Sequence, residues 1–375
     1  MDFSLTEEQQ LLRDSIARFV ANEYSFEQRK KIIGSPKGWS DAVWAQFAEM
    51  GLLGVPFPEA HGGFGGTAVD VMVVAQELGR GIVVEPYLST VVLAGGLVNL
   101  AGTPAQKQDI LPRVAQGKWL LAAAHGEPQS RYDPNDVATT ARREDSGYVL
   151  SGRKSVVLHG DTADTLIVSA RTAGDQRDAQ GVTLFLVDAK MRGVTLYGYR
   201  TIDGLRAADV ALDRVHVGGE AVLGPVDGAG PVLERALDAG AAALCAEAVG
   251  VIEALNAATL EYLKTRQQFG QPIGRFQALQ HRAVDMLIHA EQSKSMACLA
   301  AVQADSADAA ERRRAVSAAK SLIGRAGRAV AKEAVQLHGG MGVADETPAA
   351  HYAKRLTMID FWLGDSDWHT ARFAA

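Results

Sequence analysis

A chain of 375 residues is long enough for two or three modules around a sizeable buried interior. Its 47% hydrophobic and 22% charged residues belong to an ordinary folded protein and exclude a disordered or fibrous one. A net charge of -6 and a lone short basic run, Arg312-Arg313-Arg314, argue against a nucleic-acid binder, and that run reads as a solvated helix face.

The first residues, Met1-Asp2-Phe3-Ser4, lack a cationic stretch followed by an apolar run, so no signal peptide is expected. No segment reads as apolar for long enough to span a bilayer, so no membrane role is expected. Cys245 and Cys298 offer neither a CxxC pair nor a zinc spacing, which predicts no metal site and a reduced, cytoplasmic setting.

Thr6-Glu7-Glu8-Gln9 has the spacing of a capping box, and Leu11, Leu12, Ile16, Phe19 and Val20 recur at helical intervals behind it. Helical patterning continues to about residue 120. The glycine-dense Gly62-Gly63-Phe64-Gly65-Gly66 follows no strand and opens no dinucleotide fold, so it reads as a turn. Over residues 121–222 the texture changes to short β-rich runs: Gly147–Leu150, Thr165–Val168, Val182–Val187 and Val210–Leu212. Asp175–Gln180 reads as a solvent-facing hairpin tip. Residues 223–375 return to long alanine-rich helices, broken near Gly270–Gly274, Ala304–Ala310 and Gly339–Gly342, which predicts about four helices in an antiparallel bundle.

Two local patterns carry chemistry. Arg266-Gln267-Gln268-Phe269-Gly270-Gln271-Pro272-Ile273-Gly274-Arg275-Phe276-Gln277 resembles the R-x-x-F-G-x-x-I-x-x-x-Q segment of the acyl-CoA dehydrogenase family. Gln336-Leu337-His338-Gly339-Gly340-Met341-Gly342 resembles that family's Q-x-x-G-G-x-G turn. The resemblance implies an α+β fold with an N-terminal helical domain (1–120), a central β-domain (121–222) and a C-terminal four-helix bundle (223–375). It also implies FAD as cofactor, with Arg266, Phe269, Gln277, Gln336, Gly339 and Gly340 reaching the ADP part of a neighbouring subunit's FAD. A guanidinium suits that role because it pairs two phosphate oxygens at once. His338 reads as a packing residue.

In that family a carboxylate base takes the α-proton of an acyl-CoA thioester while the flavin accepts the β-hydrogen. Aligning Gly364-Asp365-Ser366-Asp367 with the family's G-T-S-x segment puts Leu363 where the glutamate base stands. The family's other base position, 26 residues before the motif arginine, is Gly240. Glu247, two helical turns beyond Gly240, together with Asp360 and Asp365, are the remaining candidates. In the β-domain, T-E-P-x-x-G-S-D becomes Gly126-Glu127-Pro128-Gln129-Ser130-Arg131-Tyr132-Asp133, and K-x-W-I-T-N-G becomes Lys154-Ser155-Val156-Val157-Leu158-His159-Gly160. The tryptophan and the hydroxyls that face flavin and thioester are gone.

Losses therefore fall on the ring and base side, while the nucleotide side is retained. The resemblance is to small, β-type subunits of heteromeric members, such as those acting on pimeloyl-CoA or steroid side-chain thioesters. It implies an acyl-CoA substrate, a related partner subunit in a heterotetramer, and an electron-transferring flavoprotein as acceptor. Two alternatives stay open: a homomeric enzyme with a relocated base, and a cofactor-free scaffold of the same fold.

Overall fold

The capping box forms as read. Thr6 Oγ1 accepts from the Gln9 amide at 3.2 Å, the Gln9 carboxamide oxygen accepts from the Thr6 amide at 3.1 Å, and helix α1 (Glu7–Glu23) begins there. The computed structural model describes residues 4–375, so the reading of Met1-Asp2-Phe3 lies outside the described residues. Helices α2 (Phe26–Gly34), α3 (Asp41–Glu49) and α4 (Ala68–Arg80) follow. A π-helical stretch, Tyr87–Gly95, then runs into α5 (Gly96–Ala101), and a second capping box from Thr103 and Gln106 opens α6 (Pro104–Ala115). The glycine loop before α4 is turn chemistry: the Phe64, Gly65 and Gly66 amides donate to the carbonyls of Gly54, Phe57 and Val55. Gly63 lies so close to the Phe57 carbonyl that a Cβ there would sit 2.1 Å from it.

The strands are β1 (Leu121–Ala124), β2 (Thr140–Glu144), β3 (Gly147–Leu158), β4 (Thr165–Arg171), β5 (Val182–Asp188), β6 (Val194–Arg200), β7 (Arg206–Gly218) and β8 (Val222–Leu223). They form one sheet in the order β6-β7-β3-β2-β4-β5-β8, with β1 parallel to β4. Its core holds Leu150, Leu166, Val168, Phe185 and Val210. The β4–β5 tip is held more firmly than a free solvent loop, because the Arg171 guanidinium donates to the carbonyls of Gln176, Asp178 and Gln180.

Beyond the sheet come α7 (Gly230–Thr265), the two-residue hairpin strands β9 (Gln267–Gln268) and β10 (Gln271–Pro272), and α8 (Gln277–Ala304). Next are α9 (Ala309–His338), α10 (Pro348–Phe361) and α11 (Ser366–Ala374). This C-terminal region therefore carries one helix more than the four expected. Leu363 and Gly364, at φ +58° and +107°, turn the chain after α10, and Asp365 caps α11 by accepting from the Trp368 amide at 2.8 Å. A second correction concerns α7, which by length and composition is apolar enough to cross a membrane. Two thirds of its apolar window is buried inside the protein, as in a core helix.

By their contacts the residues group into two compact units. One unit takes the chain up to Lys31, Ala68–Val83 and Ala241–Ala375; the other takes Ile32–Thr67 and Val84–Gly240. In the first, α8, α10 and α11 pack around α9, and α4 crosses α7 almost backbone to backbone. A Cβ at Gly79 would lie 2.2 Å from the Glu247 carbonyl oxygen, and one at Gly250 would lie 1.9 Å from that of Gln76. Larger residues at either glycine would push the two helices apart.

Candidate functional site

The chain leaves α7 at Thr265 and makes a tight hairpin whose corner is Phe269-Gly270, both at positive φ (+52° and +75°). Two consecutive left-handed residues give the turn whose twist suits a two-residue hairpin. Gly270 takes that conformation freely, whereas a phenylalanine there carries about 1–2 kcal/mol of strain. The strained ring is not buried in return: Phe269 is 90% exposed and touches Phe276 edge-on at 6.0 Å. Strain kept at an exposed aromatic marks a residue presented outward. Arg266 is also exposed, and among the described residues its guanidinium joins no ion pair. The Arg266 carbonyl is occupied locally, accepting from Ile273 N at 2.9 Å. Gln277 is the exposed first residue of α8, and no side chain caps that helix start.

The second segment ends α9. Gln336, Gly339 and Gly340 are exposed, Gly339 has φ +60°, and a Cβ at either glycine would meet nothing within 4 Å. His338 packs as expected: its Nδ1 lies 2.8 Å from the Ala334 carbonyl, and its ring stacks on Tyr262 at 4.5 Å. Sequence reading does not single out Tyr262. It stands one helical turn before Arg266, so this stack holds the end of α9 against the end of α7 and brings the two motif segments together. Only the i+4 spacing of Tyr262 and Arg266 hints at this in the sequence.

The three carboxylates considered as a base all have structural engagements. Glu247 receives Arg355 as a two-pronged pair, Nε to Oε1 at 2.5 Å and Nη2 to Oε2 at 2.7 Å, with both side chains nearly buried. Asp360 is fully buried; its Oδ1 accepts from Ser366 Oγ at 2.5 Å and from the Ser366 amide at 3.2 Å, and its Oδ2 lies 3.0 Å from Arg328. Gly324 makes room for it, since a Cβ there would be 2.1 Å from Oδ1. Asp365 caps α11. At the family's two base positions stand Leu363, in the turn after α10, and Gly240, buried on α7.

Beneath that turn the Lys320 ammonium is buried and donates to the carbonyls of Asp360 (3.0 Å) and Gly364 (2.7 Å), groups the end of α10 leaves without helix partners. Burial lowers its pKa to about 8. The same burial pushes the Cys245 thiol up to about 12, which makes it inert as a nucleophile. His369 reaches the Leu363 carbonyl through Nε2 (3.0 Å) and Ser317 Oγ through Nδ1 (3.3 Å). Burial, reinforced by the Lys320 and Arg372 charges, holds this imidazole down to about 3. The unfolded chain takes a proton at this histidine near pH 6.5, while the folded chain resists until about pH 3. Stability attributable to His369 is thus complete above pH 6.5 and falls by about 1.4 kcal/mol per pH unit between those values. Urea midpoints at several pH values should show His369→Gln to be less acid-sensitive than the wild type, and parallel curves would refute the assignment.

In the β-domain, Glu127 and Lys154 form a buried pair at 2.6 Å, and Lys154 also donates to Ser169 Oγ at 3.0 Å. Glu127 Oε2 and Oε1 accept from the backbone amides of Ala138 (2.8 Å) and Thr139 (3.1 Å), which ties down the chain between β1 and β2. Burial alone would raise the Glu127 pKa, but Lys154, with hydrogen bonds from Thr139 and Gln129, holds it at about 2. Where the family has its flavin-facing tryptophan, Val156 sits half-open at φ +54° in a bulge of β3. Where it has threonine, Leu158 is buried. Neither supplies a hydrogen-bond donor.

Three family profiles cover nearly the whole chain: acyl-CoA dehydrogenase N-terminal domain over residues 6–118, middle domain over 122–215 and C-terminal domain over 227–375. A probable acyl-CoA dehydrogenase of Bacillus subtilis (strain 168), YngJ, is 29% identical over 373 residues, spanning 98% of this chain and 97% of the relative. The mitochondrial isovaleryl-CoA dehydrogenase of Solanum tuberosum is 30% identical over 370 residues, spanning 96% and 88%. Among solved structures, the Tcur3481-Tcur3483 steroid ACAD is 31% identical with TM-score 0.88, covering 98% of this chain and 97% of that one. The ChsE4-ChsE5 complex from Mycobacterium tuberculosis is 27% identical with TM-score 0.89, covering 100% and 98%.

Proposed function

The chain belongs to the acyl-CoA dehydrogenase family, FAD-dependent oxidoreductases that dehydrogenate acyl-CoA, and from that premise we propose that it is the subunit of a heteromeric member that lends the nucleotide half of a flavin site. The observation that carries this reading is the split at the site. Arg266, Phe269, Gln277, Gln336, Gly339 and Gly340 are all exposed at one end of the helical unit, with open space beside the glycines. The ring-side positions hold Val156 and Leu158, and neither base position holds an acid.

The nucleotide side suits FAD. A free guanidinium and the uncapped amides of α8 match a diphosphate, and glycine backbone permits the close approach of an adenosine. When bound, FAD supplies the oxidant that accepts the substrate's hydrogen. In this assignment the chain's own residues hold and orient the nucleotide, and the partner supplies the carboxylate that takes the α-proton. The acyl-CoA substrate is of the bulky or functionalised kind, such as a steroid side chain or a dicarboxylic acyl group, and an electron-transferring flavoprotein reoxidises the flavin. The relocated-base alternative gains nothing from the geometry, because Arg355 occupies both oxygens of Glu247.

Arg266→Ala tests the assignment within a co-expressed heteromer. Losing charge-assisted bonds worth about 1.5–3 kcal/mol should weaken FAD binding roughly 10- to 100-fold, with assembly intact. Flavin titration after gel filtration measures it, and unchanged affinity would remove Arg266 from the site.

A further inference from the structure

The glycine turn after α9 is pinned at both ends. At the near end His338 stacks on Tyr262. At the far end, just before α10, the hold comes from His351, whose Nε2 lies 3.0 Å from the Asp345 carbonyl. On the other side of the ring, Arg29 Nη1 lies 3.0 Å from Nδ1. Arg29 is fully buried on α2, and its Nε donates at 2.6 Å to the carbonyl of Ile82, just past α4. These residues all belong to one compact unit.

The donors fix where the proton sits. A guanidinium carries only N–H donors, so Nδ1 must accept, and the single proton of the ring sits on Nε2 and is donated to Asp345. A second proton would set N–H against N–H and cation against cation in a buried place near the positive end of α10. Around the ring stand Arg29 from α2, Asp345 from the turn with Oδ1 at 3.2 Å, and Lys354 from α10, which reaches the same Oδ1 at 3.2 Å. Lys30 of α2 adds its charge near Asp345, and Arg355, one turn along α10, is paired with Glu247. Only Asp345, through its carbonyl and carboxylate, favours an imidazolium, and its side chain is 71% exposed and shared with Lys354. Burial and Arg29 therefore win, and hold His351 below its ordinary pKa.

The turn moves as one piece. Thr347 Oγ1 donates to the carbonyls of Met341 (2.7 Å) and Ala344 (3.0 Å), and a Cβ at Gly342 would sit 2.5 Å from the Val335 carbonyl oxygen of α9. A shift at Asp345 is thus carried back to Gly339 and Gly340. We propose that His351 is a positioning residue for the nucleotide turn: braced by Arg29, its neutral ring fixes the Asp345 carbonyl and through it Gly339 and Gly340, and a second proton on the ring releases them. This inference rests on the nucleotide-half reading above and adds the group that sets the turn. Opening returns His351 to solvent and to its ordinary pKa of about 6.5, so the closed turn is at full strength above that pH and weakens as pH falls below it.

Hydrogen exchange of residues 339–347 in the isolated full chain, corrected for intrinsic rates, reads the turn without any cofactor. The wild type should open about tenfold more for each pH unit below about 6.5, the effect of one proton. His351→Gln keeps a donor for Asp345 and an acceptor for Arg29 but does not titrate, so it should match the wild type at neutral pH and stay flat in acid. His351→Phe keeps a ring against Phe26, which meets His351 edge-on at 4.9 Å, but loses both bonds and should be open at every pH. Equal pH dependence in the wild type and His351→Gln, or full protection in His351→Phe, overturns the role of His351. The second readout is FAD release from the co-expressed heteromer, since the nucleotide leaves through the same opening. It should quicken in acid by the same factor in the wild type and stay constant in His351→Gln. If the turn opens as expected while FAD release stays constant, His351 still sets the turn, and the place of Gln336, Gly339 and Gly340 at the nucleotide is overturned.

Discussion

Arg355→Ala destabilises the helical unit by about 3–5 kcal/mol, because it strands the Glu247 carboxylate in a nearly buried position with both oxygens unmatched. On the melting curve this is a fall on the order of 10 °C. Glu247→Gln also breaks the charge pair and lowers the melting temperature. It leaves acyl-CoA turnover of the heteromer at the wild-type level, because Glu247 holds α10 to α7 in this account and moves no proton. Melting curves and dye-reduction rates of the two variants separate the roles. Loss of turnover in Glu247→Gln without loss of stability would return Glu247 to the list of bases.

The second large effect lies in the β-domain. Lys154→Met keeps the apolar stem but removes the charge, so the buried Glu127 keeps only neutral donors, the Ala138 and Thr139 amides and the Gln129 carboxamide, at a cost of about 3–5 kcal/mol. The double variant Glu127→Gln/Lys154→Met should lose less than the sum of its singles, since no unmatched charge remains. Glu127 is held well below its ordinary pKa, at about 2. Its contribution is therefore fully present above about pH 4.5 and disappears as pH falls toward 2. Urea denaturation at pH 7 and at pH 3 should show the penalty of Lys154→Met shrinking in acid. Additive single and double variants would show that the two groups do not act as a pair.

How much of this was legible in the sequence depended on whether the signal was local. The α1 capping box, the breaks between α7, α8 and α9, and strands β3, β4, β5 and β7 each carry their pattern within a few adjacent residues. Strand β1 is Leu-Ala-Ala-Ala and takes its conformation from pairing with β4, so its own composition says little. Strand β2, Thr-Ala-Arg-Arg-Glu, is mostly exposed and lacks the apolar alternation that would betray it. Strand β6 lies at the sheet edge, mostly open, with a weak burial pattern. The helix α11 went uncounted because its boundary is a backbone turn at Leu363 and Gly364, where the leucine gives no warning of positive φ.

The site divides the same way. The Arg266 and Gln336 segments could be recognised by their resemblance to the family's motifs, and Leu363 and Gly240 by aligning the chain with that family's base positions. Their meeting through Tyr262 and His338 could not, nor could the pairing of Glu247 with Arg355, because both join residues far apart in the chain. Arg355 supplies the physical reason to set Glu247 aside as a base. The strain at Phe269 is likewise a fact of backbone geometry.

Flavin content per chain tests the half-site account most directly. On that account, a purified heteromer of this chain with the proposed catalytic partner should hold one FAD for each pair of chains, because the account gives the ring pocket to the partner and the nucleotide end to this chain's Arg266 segment. The chain expressed alone should be colourless and inactive in acyl-CoA-dependent dye reduction. Yellow, active protein from this chain alone, or two flavins for each pair, would contradict it.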